Sequence, residues 1–153
     1  MLDPIIIEAK REYAQKVVSN AKSILIRANK SVTGGLVSSI RYQINSQGKI
    51  VYSYAEVPGK YVREGRKRGS RFPPEEPILK WIKYRGLKGR DKKGRYITNQ
   101  ALAFLIRRSI SKNGIPPFDF LSMALRQTKD QLKIIAKAAA KSIKDRFLKD
   151  IKE

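Results

Sequence analysis

At 153 residues the chain has the length of one ordinary domain and can bury a hydrophobic core without disulfide or metal staples. It holds no cysteine and no histidine, which excludes thiolate nucleophiles, disulfides, imidazole bases and the usual nitrogen and sulfur ligands of zinc. Its 34 Lys and Arg against 13 Asp and Glu leave a formal net charge of +21, an excess that calls for a polyanionic neighbour, either nucleic acid or an acidic protein surface.

The longest apolar runs, such as Ile5-Ile6-Ile7 and Ile24-Leu25-Ile26, fall far short of a bilayer span, so no membrane contact is expected. The opening Met1-Leu2-Asp3-Pro4 puts an acid where a secretory signal carries positive charge, which points to synthesis and retention in the cytoplasm. From Pro4 to Asn29, apolar groups at Tyr13, Val17, Ala21, Ile24 and Ala28 keep the three-and-four spacing of an amphipathic helix, with Pro4 suited to its first turn. Thr33-Gly34-Gly35 breaks that periodicity. Over 36–55, Ile40, Tyr42 and Ile44, then Ile50, Tyr52 and Tyr54, alternate with other residues around an Asn45-Ser46-Gln47-Gly48 turn. This pattern predicts an antiparallel hairpin with one aromatic-rich face.

From 58 to 73 the pattern loosens into Pro58-Gly59, an extended piece around Tyr61-Val62, and the basic run Arg66-Lys67-Arg68-Gly69-Ser70-Arg71, which together read as a surface loop. A helix over 74–85 follows: Pro73-Pro74-Glu75-Glu76 suits its N-terminus, Ile78, Trp81, Ile82 and Arg85 step along it, and Gly86 closes it. The segment 86–97 is a second basic loop, and its Gly89-to-Gly94 stretch lacks apolar anchors and reads as exposed and mobile. Thr98 caps a helix over 98–113 through Ala101, Leu105 and Ile110, ended by Asn113-Gly114 and Pro116-Pro117. Asp119 then caps a C-terminal helix over 119–150, where Leu121, Leu125, Thr128, Leu132, Ile135 and Ala139 step by four and three, with Ile143, Phe147 and Ile151 beyond. The whole reads as a single α+β domain over 1–153, a hairpin packed against long N- and C-terminal helices and two shorter central ones.

Few residues invite chemistry. Gly89 and Gly94 have the spacing of a phosphate-binding P-loop, but Arg95-Tyr96 stands where Lys and then Ser or Thr are needed, so no nucleotide site is expected. The adjacent acids Glu75-Glu76 suit a helix dipole better than acid-base catalysis, and Glu56, Glu64 and Asp119 form no magnesium-binding motif. No enzyme activity, metal or cofactor is expected, and a metal-dependent nuclease ranks last among the readings. Between Lys60 and Arg95 stand fourteen Lys or Arg against four acids, interleaved with Tyr61, Phe72, Trp81 and Tyr84. Such a mixture suits phosphate contacts and base stacking, although Trp81 on a helical stripe is more often core, and basic loops are often merely solvated.

The ordered string Tyr61-Val62-Arg63-Glu64-Gly65-Arg66-Lys67-Arg68-Gly69, Phe72-Pro73-Pro74 and Ile78-Leu79-Lys80-Trp81-Ile82-Lys83-Tyr84-Arg85-Gly86-Leu87 resembles the tail-component family of lambda-like tailed bacteriophages. Ala101 to Arg108, Gly114-Ile115-Pro116-Pro117-Phe118 and the upstream Thr33-Gly34-Gly35-Leu36 fit the same pattern, so the resemblance covers about Thr33 to Leu125. It implies a non-enzymatic virion protein of the neck or tail, a tail-terminator, tail-completion or head-tail joining subunit. Such subunits form a homo-oligomeric ring, sixfold or twelvefold, around the DNA channel, against portal, neck or tail proteins. Contacts with a neighbouring subunit or the channel, and any non-specific DNA contact, are expected at Arg63, Arg66, Lys67, Arg68, Arg71, Lys88, Arg90, Lys92, Lys93 and Arg95. The alternative is a basic nucleic-acid-binding module that binds phosphates without any particle.

Overall fold

The computed structural model describes residues 3–30 and 34–151, and Thr33, the first residue of the expected helix break, lies outside them. The class is mixed α+β, with seven helices and one two-stranded antiparallel sheet among the described residues. The chain divides into two compact units, one formed by residues 1–55 with 120–153 and the other by 56–119.

The first unit is built on α1, Pro4–Arg27. The Asp3 carboxylate accepts a hydrogen bond from the Ile5 N–H at 2.8 Å, and Pro4 begins the helix where a missing N–H costs nothing. Tyr13, Val17, Ala21 and Ile24 of the expected stripe are buried, joined by Ala14 and Leu25, while Ala28 at the C-cap is half-buried. The helix ends in a Schellman turn: Asn29 adopts a left-handed φ of 54°, and the Lys30 N–H reaches back to the Leu25 carbonyl at 3.0 Å.

A short helix α2, Gly35–Ser39, stands where the hairpin was expected to begin, and buries Leu36. The hairpin itself is tighter than predicted, with β1 Arg41–Ile44 and β2 Ile50–Ser53 pairing Tyr42 with Tyr52 and Ile44 with Ile50. Those four side chains are half-buried on the face that meets α1, while Arg41, Gln43, Val51 and Ser53 point outward. The turn is closed by the Asn45 side chain, which accepts from the Lys49 N–H at 2.8 Å.

The Tyr52 hydroxyl is buried and finds no partner among the described residues. Burial first, and the nearby Tyr13 second, push its phenol up to about 12. An acid with a raised folded-state pKa ionises first in the unfolded chain, so this group costs stability as pH climbs from 10 toward 12. Tyr52→Phe removes an unsatisfied hydroxyl, and we expect it to be neutral or to stabilise by up to about 1 kcal/mol while flattening that alkaline loss, as read by urea melts across this range.

The expected single C-terminal helix is two: α6 Phe120–Gln127 and α7 Lys129–Asp150. The break falls at Thr128, which is 2% exposed. Its hydroxyl donates back to the Ala124 carbonyl at 2.9 Å, sharing that acceptor with the Thr128 N–H at 3.0 Å, and the backbone leaves helical geometry there with φ −96° and ψ 4°. Phe120, Ala124 and Ile135 complete the core against α1, and the Tyr54 ring meets Phe120 edge-on at 5.4 Å.

The second unit opens with α3, Glu56–Glu64, where an extended piece within a loop was expected. Pro58 stands in the first turn, whose N–H groups have no partner inside a helix, so it does not stop one. Helix α4, Glu75–Arg85, follows Pro74 and closes at Gly86, whose left-handed φ of 61° lets the Leu87 N–H reach the Ile82 carbonyl at 3.0 Å. Helix α5, Asn99–Asn113, is capped by the Thr98 hydroxyl, which accepts from the Ala101 N–H at 3.2 Å. Its buried face differs from the predicted one: Ala101 and Leu105 are exposed, while Ala103 is buried between half-buried Leu102 and Ile106. The apolar run Ala101 to Ile106 allows either face to be read from spacing, and packing on α4 around Ile82 selects one.

Candidate interface of basic loops

Two loops of the second unit carry most of the candidate cations. The first runs from Gly65 to Arg71 and is pinned to the end of α5. The Arg66 N–H donates to the Ile115 carbonyl at 2.8 Å, the Ile115 N–H returns to the Arg66 carbonyl at 2.9 Å, and the Gly69 N–H bonds the Ser111 carbonyl at 2.8 Å. Gly65 and Gly114 make this approach possible. Both hold left-handed φ values, 67° and 72°, and both press bare backbone against backbone.

Within that frame the cations divide. Arg63 pairs with Asp119 at 3.2 Å, and Arg66 folds its guanidinium onto the Arg71 carbonyl, leaving a buried Nε without a partner among the described residues. These two brace the loop, whereas Lys67, Arg68 and Arg71 present exposed side chains. Arg107, outside the expected set, is a further brace. It donates to the Pro73 carbonyl and to Glu75, both at 2.8 Å, and lies over the Phe72 ring.

The second loop, expected to be mobile, is a hydrogen-bonded hairpin-like turn. Arg90 bridges Tyr96, the Asp91 N–H bonds the Arg95 carbonyl at 2.8 Å, and the Ile97 N–H bonds the Gly89 carbonyl at 3.0 Å. The apolar anchors missing inside 89–94 are supplied from just beyond it: Ile97 and Leu102 pack over Gly89. The Asp91 carboxylate takes the Lys93 and Arg95 N–H groups at 2.8 and 2.9 Å, filling with a side chain the place where a P-loop would hold phosphate. Those bonds, the Arg95 N–H first, hold its carboxyl below the ordinary carboxylate range.

Asp91 therefore stabilises the turn at neutral pH and loses that effect as pH falls through its depressed pKa. We expect Asp91→Ala to release the turn, read as faster amide exchange at Lys93, Arg95 and Ile97, with exchange across α4 and α5 unchanged.

Arg90 stacks on the Tyr96 ring at 4.3 Å, the exposed Lys88 holds its ammonium 5.8 Å from the centre of the same ring, and Arg95 pairs with Asp91 at 2.9 Å, while Lys92 and Lys93 are exposed. Trp81 is half-buried on α4. The ten candidate residues thus fall in two groups, one beside the C-terminal end of α5 and one just before its N-terminus, the helix itself being ~22 Å long at 1.5 Å per residue. No group of three or more carboxylates suited to a metal ion occurs among the described residues. No helix among them is long and apolar enough to cross a membrane.

Sequence reasoning missed a second basic surface. Helix α7 carries Lys129, Lys133, Lys137 and Lys141 at intervals of four, a visible signal that the density of the middle third overshadowed. No protein-family model matches the chain, and neither curated proteins nor solved structures include one similar to it.

Proposed function

We propose that this chain is a structural subunit of a tailed bacteriophage particle, repeated as a ring at the neck or tail end around the DNA channel, without catalysis. Its work is geometric: its exposed surfaces fit copies of itself and acidic viral neighbours. The observation that carries the reading is the pairing of charge with uncovered apolar surface in the second unit, in the segment that resembles the phage family. Tyr61, Tyr84, Phe104 and Leu105, on the helices of the unit that carries the two basic loops, are each at least 50% exposed. Large exposed apolar side chains beside a polar rim are the composition of an interface core. A heterologous contact that repeats by a closing rotation makes a ring.

The test is replacement of Lys67, Arg68 and Arg71 by alanine, which removes exposed cations and leaves the bracing Arg63 and Arg66 in place. The variant is expected to fold as before and to lose incorporation into particles of the phage or prophage that encodes it. Unchanged incorporation removes the Gly65-to-Arg71 loop from the interface.

The exposed Lys88, Lys92 and Lys93 favour a second reading, a basic module that binds nucleic acid on its own. It predicts duplex binding whose log K falls with log salt, and a slope that shrinks by roughly 0.9 for each phosphate-contacting lysine replaced.

A further inference from the structure

A groove of about 350 Å³ runs along the first unit between α1, β2 and α7. Ile6, Tyr13, Ile50, Leu132 and Ile143 form its walls, and the small side chains of Ala136, Ala139 and Ala140 make the recess between them. From Leu132 to Ile143 the floor extends ~16 Å, three helical turns. Of the polar groups in the lining, the Lys10 ammonium is drawn aside to the Gly48 carbonyl at 2.7 Å and the Tyr13 hydroxyl lies 3.5 Å from the buried Thr128 hydroxyl.

The apolar line continues along α7 past the groove to Phe147 and Ile151, which are 64% and 65% exposed. The Arg146 guanidinium pairs there with Asp3, at the start of α1, so the line runs on beyond the helix that walls it. The rim is basic. By helical periodicity Lys133, Lys137 and Lys144 follow one another along the side of α7 next to Ala136, Ala140 and Phe147, and all three are exposed. Asp130 is held by Lys133 at 3.1 Å, and Asp145, next to Lys144 in sequence, lies ~100° further round the helix, away from the groove.

We infer that this groove docks an acidic amphipathic helix of a partner protein. Three turns of apolar floor match a helix that presents anchors at i, i+4 and i+7, and the lysine rim matches carboxylates flanking them. The charge argues against a second copy as occupant, since α7 itself carries seven Lys or Arg against three Asp. This surface lies wholly in the first unit and is independent of the ring reading, so a chain that joins no particle would still bind such a helix.

The test uses the full chain and a fluorescent synthetic helix with leucines at i, i+4 and i+7 flanked by glutamates. Its controls are the same residues scrambled and the same helix with lysine flanks, read by anisotropy. The designed helix is expected to bind at least roughly tenfold tighter than either control. Ala140→Trp, which fills the recess without changing charge, and the triple Lys133→Glu, Lys137→Glu, Lys144→Glu variant should each lower affinity roughly tenfold, with helix content unchanged by circular dichroism. Equal binding of the scrambled peptide overturns the proposal, as does affinity untouched by the triple variant. Self-association that Ala140→Trp abolishes would place a second copy in the groove and also overturn it.

Discussion

Alanine at Gly65 or Gly114 is expected to unfold the second unit while the first retains its structure. A methyl group on Gly65 would run into the Ile115 carbonyl and lie 2.7 Å from the Pro117 nitrogen; one on Gly114 would lie 2.5 Å from the Arg66 carbonyl oxygen and 2.9 Å from the Arg68 nitrogen. All of these obstacles are backbone, so relief requires separating the two strands of chain that exchange the Arg66 and Ile115 hydrogen bonds. To this is added the strain of a left-handed φ for a residue with a Cβ, about 1–2 kcal/mol. A total of about 3 kcal/mol or more per substitution is expected. Gly69 and Gly94 are built-in controls, since both have positive φ and open space where a Cβ would go. Alanine there should cost only the conformational part. Amide exchange of α4 and α5 separates the two classes, and equal effects at all four glycines would show that backbone contact is not what holds the loop.

Phe120→Ala should have a comparable effect on the first unit. Phe120 is 0% exposed, is the largest fully buried side chain among the described residues, and meets the Tyr54 ring edge-on. It begins α6, one of the two helices that close over α1, so the cavity opens at the centre of that unit's packing. A loss of about 3–5 kcal/mol is expected from lost transfer energy and an unfilled void. Denaturant melts that report the first unit, through far-ultraviolet circular dichroism of α1 and α7, provide the reading. A change under 1 kcal/mol would mean that the site collapses around the missing ring.

These expectations show where sequence was sufficient and where it was not. Most of the α1 stripe was legible because Tyr13, Val17, Ala21 and Ile24 keep the helical spacing of apolar residues. The hairpin was legible because Tyr42, Ile44, Ile50 and Tyr52 alternate strictly with residues that face outward. In α5 the unbroken apolar run left the face undetermined until α4 chose it. The break at Thr128 was hidden because a buried threonine on an apolar stripe reads like any small core residue. Helix α3 was obscured by Pro58-Gly59, a turn signature that also suits a helix's first turn.

The candidate cations were identifiable as basic runs, but their division into braces and exposed contacts was not. Arg63 and Arg66 look like Lys67 and Arg68 in sequence. Only tertiary neighbours, Asp119 for one and the Arg71 carbonyl for the other, separate them. The lysine-rimmed groove on α7 shows the same limit: its lysines were visible, but the recess beside them arises from how α1, β2 and α7 meet.

A three-dimensional reconstruction of the particles encoded with this sequence bears most directly on the ring assignment. We expect density for this chain at the neck or tail end, repeated six or twelve times about the channel, with Lys67, Arg68 and Arg71 against a neighbouring subunit or the DNA path. Complete, infectious particles that contain no copy of it would contradict the account.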